Sequence, residues 1–158
     1  MTQLWITEAR KHIGLTEIKG ERHDPEILKM WRDIKRGGIK TDEVPWCAAF
    51  VGAMLERSGI QSSRFEGAAS YLSWGQPISD PVEGCVVVFS RDGGGHVGFV
   101  VGRDVGGNLQ VLGGNQGDKV SIRAFPRYRA KGYRWPAGVP IPVGKLPLMT
   151  SEMSKGEA

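Results

Sequence analysis

Apolar positions recur at helical spacing in the first part of the chain and alternate at strand spacing in the second. Residues 3–13 set Trp5, Ala9 and Ile13 four apart on one side and close at Gly14, which predicts a first helix. Asp24-Pro25 is a stronger start, with aspartate as N-cap and proline at the first helical position. Ile27, Leu28, Trp31 and Ile34 form that helix's buried stripe, and Gly37-Gly38 stop it. A third helix opens at Pro45. Counting from Cys47, Phe50, Val51, Met54 and Leu55 form an apolar stripe that runs towards Gly59 as its C-cap. Residues 58–67 read as loop and 68–74 as a short helix or turn, and Pro77 and Pro81 mark an irregular link.

From Cys85 onward the period changes to two. Residues 85–90, 96–103, 108–112 and 119–125 are short valine-rich runs separated by glycine and aspartate turns, the pattern of an antiparallel meander. Helices first and strands afterwards predict an α+β fold. On the second run His96 shares a face with Gly98, Val100 and Gly102, so a helix could approach that face closely, and the Cys47 helix is the expected partner. Residues 1–143 form one catalytic domain in this reading, and 144–158 an extended or mobile tail.

Composition narrows the classes. At 158 residues, 40% apolar and 24% charged, the chain is the size of one soluble domain that can build a core without disulfides or metals. A formal charge of +4 with no dense basic run does not indicate nucleic acid, although it favours approach to an anionic polymer. No run reaches the roughly 18 apolar residues that a membrane span needs, so no stable membrane insertion is expected. Met1–Glu8 lacks a basic start and an apolar core, so synthesis without a signal peptide, in the cytoplasm, is the expectation. Neither His12 nor His23 has a second metal-type residue at ligand spacing, and the reading assigns no metal and no cofactor.

The chemistry centres on Cys47. In a first helical turn the backbone N–H groups and the helix dipole favour the thiolate, the nucleophilic form. The alternative is a core cysteine acting as a small hydrophobe. A thiolate nucleophile needs a base to take and return its proton, and that base needs a third group to orient it. His96 on one strand and Asn115 at the end of the next supply such a set for acyl transfer. Asp42 and Glu43 either cap the helix or line the site. Trp46, Tyr71 and Trp74 are candidate groove walls for a peptide or sugar, with core packing as the alternative. Gln116 belongs either to the site or to its turn.

These pieces resemble the CHAP family, cysteine- and histidine-dependent amidohydrolases and peptidases of the papain-like NlpC group, and in particular a branch from bacteria and their phages. The resemblance is carried by Ile13-Gly14-Leu15, Asp24-Pro25-Glu26-Ile27, Pro45-Trp46-Cys47-Ala48-Ala49-Phe50-Val51, Tyr71-Leu72-Ser73-Trp74-Gly75, Gly95-His96-Val97-Gly98-Phe99, Leu112-Gly113-Gly114-Asn115-Gln116-Gly117-Asp118 and Gly132-Tyr133-Arg134-Trp135-Pro136. It implies a papain-like fold with Cys47 as nucleophile, His96 as general base and acid, and Asn115 as the orienting residue. It also implies peptidoglycan as partner and an amide bond, in the stem peptide or at its junction with muramic acid, as target. Cys85 stands where the family often has aspartate and reads as a buried structural thiol. No aspartate-rich calcium loop is present. A monomer is the expectation, as a phage endolysin, a tail component or a delivered effector. A transferase on the same fold and a non-catalytic binding module remain alternatives.

Overall fold

The computed structural model describes residues 3–17, 24–39, 46–91 and 94–150. The expected helix start at Pro45, the acidic pair Asp42 and Glu43, His23 and the last residues from 151 lie outside them. The described residues form helices α1 (Leu4–Arg10), α2 (Pro25–Asp33) and α3 (Cys47–Arg57) and a 3-10 turn η1 (Ala68–Ser73). Strands β1 (Gln76–Ile78), β2 (Val86–Arg91), β3 (Gly94–Arg103), β4 (Leu109–Gly113), β5 (Ser121–Phe125) and β6 (Ala130–Trp135) follow, with a second 3-10 turn η2 (Arg127–Arg129) before β6. The strands make one sheet in the order β1-β6-β2-β3-β4-β5, every pair antiparallel. This is the expected α+β architecture, consistent with a papain-like fold. Among the described residues no helix is long and apolar enough to cross a membrane.

Local signals explain the helices. The Asp24 carboxylate accepts from the N–H of Glu26 at 2.8 Å and of Ile27 at 3.4 Å, and Pro25 occupies the first helical position. Such a cap contributes about 1 kcal/mol. α3 departs from the predicted single stripe, because every residue from Cys47 to Leu55 is buried. It is a central helix, with α1 and α2 on one side and β3 and β4 on the other. Its small residues face its neighbours: a Cβ on Gly52 would press on Ile34 and lie 3.1 Å from the Tyr71 hydroxyl and 3.2 Å from Ser62 Cβ. Beyond the helix, Gly59 takes φ +83° and Ile60 N–H donates to the Leu55 carbonyl at 2.9 Å, a glycine-closed C-terminus. Arg57 in its last turn bonds Asp33 and Glu26 of α2 at 2.7 and 2.8 Å, tying the two helices together. α1 is tied to the sheet by Trp5, whose indole N–H donates to the Gly84 carbonyl at 2.8 Å and whose ring meets Trp135 edge-on.

The valine-rich runs became β2 to β5, each paired with the next. β1 and β6 were not foretold by the pattern. β6 carries Lys131 and Arg134 and reads as basic turn, yet it lies between β1 and β2. Lys131 stays at the surface, while the half-buried Arg134 donates to the Leu72 carbonyl at 2.9 and 3.2 Å.

Two expectations need correction or refinement. α3 does not cover the glycine face of β3: Phe50 of α3 meets Phe99, on the opposite face, with ring centroids 6.3 Å apart. The space over Gly98 is filled by Val111, 2.5 Å from where a Cβ would stand, and that over Gly102 by Met149, at 2.6 Å. The glycines thus admit side chains from β4 and the C-terminal segment. In that segment, where an extended or mobile tail is expected, the chain is extended and docked. Arg103 N–H donates to the Pro147 carbonyl and Met149 N–H to the Arg103 carbonyl, both at 2.8 Å, and Leu146 is buried.

Gly52→Ala forces its new methyl into Ile34, and overpacking of this kind costs roughly 1–3 kcal/mol. The midpoint of urea unfolding should fall accordingly with unchanged m-value; an unchanged midpoint would mean that α2 and η1 can move aside.

Candidate active site

His96 lies near the start of β3 and is fully buried. Its cross-strand neighbour Phe89 and Phe125 of β5 lie nearly parallel to it, at centroid distances of 6.3 and 5.5 Å and interplanar angles of 17° and 10°. The two phenyl rings stack on each other at 4.4 Å. The imidazole plane is therefore set by packing.

Its protonation pattern is set by Gln116. Nε2 of His96 is 2.8 Å from Oε1 of Gln116. The amide orientation follows from the other end, where the Gln116 NH₂ donates to the carbonyls of Val111 at 3.1 Å and Ser121 at 2.8 Å. Two carbonyl acceptors require the nitrogen there, so the oxygen faces histidine. An amide oxygen only accepts, so Nε2 carries the hydrogen and Nδ1 is the basic nitrogen of the neutral ring. The loop holds Gln116 further: its backbone N–H donates to the Lys119 carbonyl, and its carbonyl accepts from the Ser121 hydroxyl at 3.0 Å.

The turn that presents Gln116 also joins the two halves of the site. A Cβ on Gly113 would press on Oε1 of Gln116 and lie 3.4 Å from Nε2 of His96. A Cβ on the next residue, Gly114, would lie 2.6 Å from Phe50 Cβ and 2.8 Å from the Trp46 ring. One glycine is thus against the imidazole pair and its neighbour against the first turn of α3, where Cys47 is the first helical residue and 4% exposed. Consecutive Cα atoms are ~3.8 Å apart, so the dipeptide brings the N-terminus of α3 and the His96–Gln116 pair to its two sides. Asn115 is buried next to it with φ +59°. Asparagine tolerates this left-handed conformation better than most residues, and the turn there redirects the chain towards β5.

Residues 39–115 match the family model of the CHAP domain. The chain carries a CHAP domain. The match spans Cys47 and His96 and ends at Asn115, and it places the chain among amidase and peptidase hydrolases with peptidoglycan as the substrate class. No curated protein matches the chain.

Within the CHAP domain the remaining candidates separate. Trp46 and Tyr71 are wholly buried, so neither presents a ring for a polymer to stack on; the groove-wall expectation gives way to core packing for both. Tyr71 lies against Gly52, and burial pushes its phenol up to about 12. Trp74 is half-buried, donates to the Gln61 carbonyl at 2.9 Å and lines a hollow with Gly59, Ile60 and Val139. That hollow is at the C-terminal end of α3, so some ~15 Å of helix separates it from Cys47. Gln116 serves both the turn and the imidazole. Phe89 and Phe125 were missed: a period of two can show which residues share a face, but not which distant strands bring rings together.

The two thiols differ. Cys85 is completely buried, and burial pushes it up to about 12, whereas Cys47 opens a helix and has some access to solvent. Iodoacetamide on the native protein at neutral pH should add one label, mapped by peptide mass to Cys47. Labelling of Cys85 at a comparable rate would contradict this packing.

Proposed function

We propose that this CHAP domain is a thiol-dependent peptidoglycan hydrolase in which Cys47 is the nucleophile and His96 the base and acid, held by Gln116 beside Asn115. The observation that carries the reading is the Gln116 amide, whose orientation leaves Nδ1 of His96 as the basic nitrogen. His96 takes the Cys47 proton, and sulfur attacks the amide carbonyl carbon. The tetrahedral oxyanion forms at the start of α3, where first-turn N–H groups lack partners within a helix and the dipole favours negative charge. The C–N bond then breaks, His96 protonates the leaving amine, and a thioester remains on Cys47. Water gives its proton to His96 and attacks the thioester, which releases the carboxylate product and restores the thiol.

The bond cut is an amide of the stem peptide or its junction with muramic acid, so the enzyme is an endopeptidase or an N-acetylmuramoyl-L-alanine amidase. Bacteriolysis is the setting that suits this activity, as a phage endolysin, a tail component or a delivered effector. A surplus of basic residues supports approach to the anionic wall.

Purified peptidoglycan treated with wild type should release soluble fragments whose new termini, read by mass spectrometry, identify the bond, and Cys47→Ala should release none. Gln116→Ala should lower kcat by about ten- to a hundredfold, since a general base held in its correct state contributes ~10²–10⁴, and leave KM nearly unchanged. Equal release by wild type and Cys47→Ala would refute the mechanism. Full activity in Gln116→Ala, with loss in Asn115→Ala, would return the orienting role to Asn115. Products carrying an added amine in place of water would identify a transferase.

A further inference from the structure

We propose that Arg129 is a positioning residue for His96 that acts through the Phe89–Phe125 ring pair, an inference that rests on the reading of His96 as the base. Arg129 ends η2, and its guanidinium carbon stands 5.4 Å from the Phe125 ring centroid and 5.8 Å from that of Phe89. A cation over the face of an aromatic ring is attracted by its quadrupole. The same rings lie nearly parallel to the imidazole and to each other. Arg129, the ring pair and His96 therefore make one stacked unit that spans η2, β2, β5 and β3.

Two consequences follow from this stack. Gln116 holds one nitrogen of His96 and the stack holds the plane of its ring, so together they fix the direction of Nδ1. The guanidinium also places a permanent positive charge 5.4 Å from the Phe125 centroid, which itself lies 5.5 Å from the imidazole centroid, beside apolar rings that screen it poorly. That charge opposes protonation of the imidazole and favours the neutral form a general base requires. The other charged or titratable residues on these elements are Arg127 and Tyr128 on η2, Arg91 at the end of β2, Arg123 on β5 and Arg103 at the end of β3; Asp118 lies in the β4–β5 connection and Cys47 on α3.

Nuclear magnetic resonance on ¹⁵N-labelled Cys47→Ala protein tests this without any need for activity, because the chain has only 3 histidines to resolve. In Arg129→Met the His96 titration midpoint should rise by about half a unit or more, the size expected for a unit charge at this range, while His12 and His23 stay in place. Arg129→Lys should restore most of the difference. Arg129→Gln keeps a polar chain without charge and carries the same test if the methionine variant does not fold. In protein with intact Cys47, Arg129→Met should lower kcat with little change in KM and move the acid limb of kcat/KM to higher pH. A His96 midpoint that is the same in Arg129→Met, Arg129→Gln and the parent would overturn the proposal, whatever the substrate proves to be. A His96 shift in a protein that cleaves no peptidoglycan would leave the stack in place and remove the hydrolase reading instead.

Discussion

The site depends on one amide that cannot turn over. Gln116 donates to two backbone carbonyls and accepts from one imidazole, so its oxygen and nitrogen have unequal partners. Reversing the amide would set an oxygen against two carbonyl oxygens in a buried place, where an unmade hydrogen bond costs ~1–3 kcal/mol. That asymmetry passes to His96 as a choice of tautomer. A neutral amide does this without a buried negative charge, so the site avoids the desolvation that a carboxylate there would incur.

The surroundings can be understood as what this arrangement requires. Gly113 leaves space for the Gln116–His96 pair and Gly114 leaves space for the start of α3. Asn115 and Asp118, both at positive φ, bend the connection so that a residue beyond the end of β4 points back into the sheet. α3 is itself buried on all sides, which removes freedom from the turn that carries Cys47. Rigid placement of nucleophile and base is worth much of the barrier in acyl transfer, because the entropy of bringing groups together is spent on folding.

Much of the fold was legible because its signals are local. The Asp24-Pro25 cap, the presence of a helix with Cys47 in its first turn, the glycine stop at Gly59 and the four valine-rich strands each follow from neighbouring residues. β6 was not legible, since Lys131, Gly132 and Arg134 disguise a strand whose pairing with β1 and β2 is purely tertiary. Cys47, His96 and the Asn115-Gln116 turn stood out as candidate chemistry. Which of the two amides meets Nε2 depends on the left-handed turn at Asn115, a backbone property that residue spacing does not encode. The same limit applies to the face of β3: alternation grouped His96 with Gly98 and Gly102, but their occupants come from β4 and from residues near the C-terminus. Trp46 and Tyr71 show the opposite failure, where large aromatics near a candidate nucleophile are needed by the core.

The central claim is that Cys47 forms a covalent acyl intermediate under the control of His96. Rapid-quench intact-mass measurement, on protein mixed with a purified muropeptide, tests it most directly. The account predicts a transient mass increase equal to the acyl portion of the substrate, located on Cys47 and absent in His96→Ala. Substrate turnover with no adduct on Cys47 at any quench time, and no loss of turnover in Cys47→Ala, would contradict it.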